Sequence, residues 1–137
     1  MYDVNEVFLT GRLTRNPELR KTPSGVSVCD LSLASNRYSG KDADGKARQF
    51  TTFTKVTLWD DKAEYFSERL HTGDLVMVRG RLVDDNFEKD MGNGQTLKTG
   101  GRLKIEVSRG HRVQLLSTAK GKEVHNADTI AAELDLE

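Results

Sequence analysis

Phe50-Thr51-Thr52-Phe53-Thr54-Lys55-Val56-Thr57-Leu58-Trp59, residues 50 to 59, is rich in aromatic and β-branched residues and contains neither Gly nor Pro. That composition predicts a strand. Successive side chains of a strand point to opposite faces, so Phe53, Lys55, Thr57 and Trp59 share one face and Thr54, Val56 and Leu58 the other. At about 3.3 Å per residue, Phe53 and Trp59 stand roughly 20 Å apart. Val56 and Leu58 suit a core. The opposite face then either covers a second small core or meets a ligand. Flat rings interleaved with a positive charge suit an unpaired nucleic acid strand, because every base offers a face to stack on and every phosphate needs a counter-charge.

Upstream, Val4-Asn5-Glu6-Val7-Phe8-Leu9-Thr10-Gly11-Arg12-Leu13 alternates as a half-buried strand, with Val7, Leu9, Gly11 and Leu13 on one face. Asn16-Pro17 and Thr22-Pro23-Ser24-Gly25 are turn signals bracketing a short extended piece, Glu18-Leu19-Arg20-Lys21. From Val26 a second long strand begins. Its parity shifts between Val28 and Leu31, which predicts a bulge near Cys29 and Asp30. Asn36 to Gln49 is polar, with Ser39-Gly40 and Asp42-Ala43-Asp44-Gly45, and is expected to be a hairpin loop leading into the central strand.

Downstream, Asp60 to Leu70 opens with acidic residues and is followed by Gly73, the pattern of a helix of about three turns with Ala63, Phe66 and Leu70 in its buried stripe. Leu75 to Val83 alternates as a further strand, and Asp84 to Gly101 reads as a long hairpin containing Gly92-Asn93-Gly94 and Gly100-Gly101. The last strand covers Leu103 to Val107 and resumes through Val113-Gln114-Leu115-Leu116 after the kink signal Arg109-Gly110. The order is strand, strand, strand, helix, strand, strand. It predicts an all-β chain: an OB-fold, the five-stranded Greek-key barrel, with one short helix between strands 3 and 4.

A chain of 137 residues accommodates one domain, expected over residues 1–117, with a short, flexible acidic tail over 118–137. A hydrophobic fraction of 36% against 31% charged residues predicts a small core and a well-solvated surface. The net charge is zero but uneven: residues 120–137 hold two lysines against five carboxylates, which leaves the body at +3. A mildly basic body is a weak pointer to a polyanion. Cys29 is the only cysteine, so a disulfide framework and a thiolate metal cluster are both excluded, and burial as a small hydrophobe is its expected role. Neither a targeting segment nor a membrane span is expected from a polar start and the absence of 18 consecutive apolar residues. His71, His111 and His125 show no metal spacing or paired nucleophile, and Asp60-Asp61 complements a helix dipole, so no enzyme and no cofactor are expected.

Asn5 to Leu13, Asn16-Pro17-Glu18-Leu19-Arg20, Thr22 to Gly25, Leu31-Ser32-Leu33-Ala34-Ser35-Asn36-Arg37, Trp59 with Ala63-Glu64, Leu70-His71-Thr72-Gly73-Asp74 and Val78-Arg79-Gly80-Arg81-Leu82 closely resemble, in the same order, the bacterial single-stranded DNA-binding proteins. The resemblance covers roughly residues 4 to 116 and implies a homotetramer of OB-folds, with a dimer as the alternative, that binds single-stranded DNA without regard to sequence in replication, repair and recombination. It implies base stacking on Tyr38, Phe53, Trp59 and Phe87. Arg12, Arg20, Lys55 and Lys62 match its phosphate-contacting positions, and Arg37, Arg79 and Arg81 join them by face and by proximity to the motifs. It also implies a cytoplasmic, nucleoid-associated protein. The alternative is a primosome-type OB-fold interaction module with weak nucleic acid binding.

Three departures qualify the resemblance. Asp84-Asp85-Asn86, Glu88 and Asp90 surround Phe87 where relatives usually carry cations, and Glu6 and Thr72 also replace commonly basic residues; acids beside a stacking ring repel phosphates, so Phe87 is expected to contribute less than Trp59. Glu133-Leu134-Asp135-Leu136-Glu137 is acidic but lacks the Pro-Phe tip through which relatives recruit partners, which implies altered recruitment, a specialised paralogue or a trimmed chain. Thr54 stands where some relatives have a His at a subunit contact.

Overall fold

The central stretch lies in a 13-residue strand, and the rest of the barrel is hydrogen-bonded outward from it. The computed structural model describes residues 2–85, 87–90, 92, 94, 96–99 and 102–120, of which 87–90 and 96–99 are described by their backbone alone. In chain order the elements are β1 (Val7–Leu13), β2 (Glu18–Lys21), β3 (Ser27–Lys41), β4 (Ala47–Trp59), α1 (Asp60–Arg69), β5 (Leu75–Asp84), β6 (Phe87–Asp90), β7 (Thr96–Thr99), β8 (Leu103–Val107) and β9 (Arg112–Ser117). The main sheet runs β1-β3-β4-β8-β5-β9, and β1 also pairs with β5, so β1, β3, β4, β8 and β5 close into a ring. β4 and β8 run parallel, and the other ring pairs run antiparallel. This is the expected five-stranded Greek-key barrel, an OB-fold, with its helix between β4 and β5.

Alternation dictates what lines the ring. Leu31 and Leu33 from β3, Val56 and Leu58 from β4, Val76 and Val78 from β5 and Ile105 and Val107 from β8 are buried in one core cluster. Ala63 and Phe66 of α1 and Leu70 at its C-terminal end join that cluster as the predicted stripe. Gly80 permits the close crossing of β5 over β8, since a Cβ there would lie 2.6 Å from the Glu106 carbonyl oxygen. The strand runs straight into the helix, and Asp60 at that switch takes φ 57°, a left-handed conformation that Asp tolerates better than most residues.

Two expectations need correction. First, β3 pairs without a break with β2 from Asp30 to Ser27 and with β4 from Val28 to Tyr38, so there is no bulge at Cys29 or Asp30; the register shifts between Tyr38 and Lys41. The change of parity arises because this end of β3 is covered on both faces. Cys29 joins Leu31 and Leu33 inside, while Val28 is buried outside between its register partners Arg20 and Trp59. Second, residues 36–49 are mostly strand. β3 and β4 continue as a ribbon to a turn over residues 42–46, where Asp42 Oδ1 accepts bonds from the backbone N–H of Asp44 at 3.0 Å and Lys46 at 2.9 Å. The ribbon projects beyond the core, so both its faces are exposed and no alternation betrays it.

The hairpin expected over 84–101 is present in its backbone as β6 paired with β7 in a separate two-stranded sheet. Residues 121–137, where most of the acidic tail was expected, lie outside the described residues.

Candidate nucleic-acid interface

Register assigns the outer face of the barrel rung by rung. Cα partners across β1, β3 and β4 place Arg12, Ala34 and Phe53 in one rung, and Thr51 with Asn36 and Gln49 with Tyr38 in rungs farther along the ribbon. In the other direction come Ser32 with Lys55, then Glu18, Asp30, Thr57 and Glu106, then Arg20, Val28 and Trp59. Tyr38, Phe53, Lys55, Thr57 and Trp59 thus share one face. Small residues floor it at Ser32 and Ala34. Side-chain bonds tie neighbouring strands across it: Thr14 Oγ1 to Ser32 Oγ at 2.8 Å, Thr51 Oγ1 to Asn36 Oδ1 at 2.8 Å and Thr57 Oγ1 to Asp30 Oδ1 at 2.7 Å.

The rings differ in what they can offer. Phe53 is 70% exposed and Tyr38 66%, so both present a face to solvent. Trp59 is only half-buried, but its indole N–H is fully enclosed and has no hydrogen-bond partner among the described residues. Burying an N–H without a partner costs about 1–3 kcal/mol, so the edge of this ring is held in place by packing. The side chain of Phe87 lies outside the described residues.

Most of the expected phosphate contacts are already engaged. Arg20 Nη2 stands 3.0 Å from Asp30 Oδ2, Lys55 Nζ 3.4 Å from Asp85 Oδ1, Arg81 Nη2 2.8 Å from Glu106 Oε1 and Arg79 Nε 3.2 Å from Glu6 Oε2. Arg12 Nη1 donates to the Gly73 carbonyl at 2.9 Å while the residue stays exposed. Lys62, expected on the surface, is buried with its Nζ donating to the Ser108 carbonyl at 3.4 Å, because that side of α1 turns towards the β8–β9 turn. Arg37 has the opposite parity to Tyr38 and lies over the Phe50 ring, 5.2 Å from its centroid, on the other side of the ribbon.

Sequence reasoning passed over Phe50, Phe8 and Lys104 and read Asp85 only as an acid beside Phe87. Phe50 is 46% exposed on that reverse side, and its parity within the central strand could have flagged it. Phe8 is exposed on β1 beside Arg79. Lys104 and Asp85 come to the outer face beside Lys55, a juxtaposition that needs the parallel β4–β8 register and so has no local signal. Cys29 behaves as expected for a buried thiol: burial pushes it up to about 11, with Asp30 adding and Arg20 opposing, so it stays neutral at physiological pH. Among the described residues no group of His, Cys, Asp and Glu is arranged to hold a metal ion, and no helix is long and apolar enough to cross a membrane.

A sequence profile of the single-strand binding protein family matches residues 4–116. Over 108 residues the chain is 41% identical to a protein of Deinococcus radiodurans named single-stranded DNA-binding protein, a match covering 78% of this chain and 35% of that one. It is 46% identical over 104 residues to the protein of the same name from Thermus thermophilus, covering 75% of this chain and 37% of that one, and 37% identical over 121 residues to the one from Treponema pallidum, covering 88% and 62%. The chain therefore spans about a third of the length of the first two relatives. Among solved structures, a Plasmodium falciparum SSB in complex with ssDNA shares the fold, with a TM-score of 0.67 over 85% of this chain and 98% of that one at 19% identity.

Proposed function

Since the chain belongs to the single-strand binding protein family, we propose that its barrel binds single-stranded DNA without regard to sequence. The observation that carries this reading is the single outer face on which Tyr38, Phe53, Lys55 and Trp59 follow one another over a floor of small residues. Bases stack on the two exposed rings and against the accessible part of Trp59, and stacking is indifferent to sequence because every base has a π-face. Arg12, in the same rung as Phe53, is placed to meet a phosphate. The binding domain spans residues 1–117 and 118–137 act as a tail. The role is protection of exposed strands in replication, repair and recombination in the bacterial cytoplasm, by a homotetramer that shares one strand among its subunits. No catalytic step is assigned to the chain.

One observation favours the second reading, an OB-fold interaction module that touches DNA weakly: Arg20, Lys55 and Arg81 are each matched by an acid on the same face. Titration with oligo-dT, read by quenching of the single tryptophan at several salt concentrations, separates the two. Strong quenching at moderate salt is expected for strand binding. No quenching at low salt would leave the interaction module.

A further inference from the structure

Asp85 lies one residue beyond β5, where its backbone N–H donates to the Arg102 carbonyl at 2.9 Å and holds it beside β8. Its carboxylate faces two lysines. Lys55 Nζ lies 3.4 Å from Oδ1 and 3.5 Å from Oδ2, and Lys104 Nζ lies 4.0 Å from Oδ1. The parallel register pairs Val56 with Ile105, so the residues preceding them, Lys55 and Lys104, flank each other on the outer face. Both ammonium groups therefore sit about one carboxylate, one rung from Phe53.

These contacts are longer than the 2.7–2.9 Å of a tight charge-assisted bond, so the clamp is loose. Two cations about one anion leave a positive charge uncompensated. A phosphodiester carries the same single negative charge on two non-bridging oxygens and can take the carboxylate's place. Lys104 is only 16% exposed, consistent with Asp85 covering it.

Resting on the strand-binding reading, we infer that Lys55 and Lys104 form a phosphodiester subsite that Asp85 occupies until a nucleic acid strand displaces it. Lys104 is then a phosphate-contacting residue, and Asp85 an internal competitor that lowers affinity at that rung. The neighbouring Asp84, with no ion pair to either lysine among the described residues, serves as the control for loss of an acid as such.

The test is fluorescence anisotropy of labelled oligo-dT over a range of salt concentrations with the wild-type chain, Asp85→Asn, Asp84→Asn, Lys104→Gln and the Asp85→Asn/Lys104→Gln pair. Asp85→Asn is expected to bind about two- to fivefold more tightly than wild type, the worth of a half-exposed ion pair. Lys104→Gln is expected to flatten the slope of log affinity against log salt by about 0.7, one phosphate contact. The gain from Asp85→Asn should shrink in the double variant, where only Lys55 is left to be freed, a coupling that Asp84→Asn does not share. Unchanged affinity in a folded Asp85→Asn variant, an equal gain from Asp84→Asn, or a wild-type salt slope in Lys104→Gln would each overturn the subsite. Should Asp85→Asn not fold, the slope of Lys104→Gln decides alone. No binding by the wild-type chain at low salt would overturn the strand-binding reading itself, and this inference with it.

Discussion

Beyond Ser35 and Thr52 the β3–β4 ribbon leaves the barrel, and there Arg37, Lys41, Lys46 and Arg48 have no acid within ion-pair distance among the described residues. On the barrel face around the same two strands, Arg20 of β2 and Lys55 of β4 each have one, and so does Arg81 of β5, from Glu106 of β8. The difference follows from neighbours. A barrel strand is flanked on both sides, so an acid on β3, on β8 or just past β5 falls within reach; a two-stranded ribbon offers flanking side chains only from its own pair. A cation so paired on the barrel face helps hold strands together, for about 0–1 kcal/mol per exposed pair. A cation on the ribbon has no such partner among the described residues. Phe53 stands at the junction and belongs to both regions.

The largest effect is expected at that junction. Phe53→Ala removes a 70% exposed ring that carries no core contact, so it should weaken oligo-dT binding by about 10- to 100-fold, one stacked base, while the melting temperature stays put. A drop in melting temperature with unchanged affinity would make this ring structural and dissolve the junction.

Trp59 comes next and reports on the barrel side. Trp59→Ala should cost about 2 kcal/mol of stability in thermal or denaturant unfolding, since its ring is partly packed, and should cost more oligo-dT affinity than Phe87→Ala. Trp59→Phe removes the N–H that has no partner and should retain stability. Equal affinity losses for Trp59→Ala and Phe87→Ala would move weight from the central strand to the β6–β7 hairpin.

Charge on the two regions can be compared directly. Replacing Lys46 and Arg48 by Gln should flatten the salt slope of oligo-dT binding by up to about 0.7 per cation, whereas Arg20→Gln should change it less and instead lower stability by up to about 1 kcal/mol. If Arg20→Gln flattens the slope as much as a ribbon substitution does, the ion pair with Asp30 opens on binding and the contrast between the regions fails.

The smallest effect is a pH dependence on the barrel side. Glu64 accepts a 2.7 Å bond from Ser27 Oγ, with Lys21 3.6 Å away; first the Ser27 bond and then the Lys21 charge hold its carboxyl below the ordinary 4.5. A depressed folded-state value contributes stability above the unfolded value, and that stability is lost as pH falls through the folded one. Melting curves of wild type and Glu64→Gln should therefore differ above about pH 4.5 and converge at lower pH. A constant difference down to pH 2 would assign the effect to packing.

Much of the barrel was legible because β1, β4, β5 and β8 are each half-buried, and a half-buried strand advertises its faces by alternation: Val56 and Leu58 against Phe53 and Lys55 read correctly from residue types alone. Where burial departs from one face, the pattern misleads. Val28 next to Cys29 suggested a bulge because both faces are covered there, and the ribbon looked like a loop because neither is. Lys62 is the comparable case in the helix, a charged residue whose stem and amine are buried against the β8–β9 turn.

The sequence by itself determined the order of elements, the core rows, the buried Cys29 and the face that carries Phe53, Lys55 and Trp59, since each of these follows from residue type and a period of two or of 3.6 along the chain. Only the tertiary structure decided which cations keep their charge for a ligand. Asp30, Asp85 and Glu106 reach Arg20, Lys55 and Arg81 across strands that barrel closure brings side by side, and a separation of 10 to 30 positions along the chain says nothing about 3 Å in space.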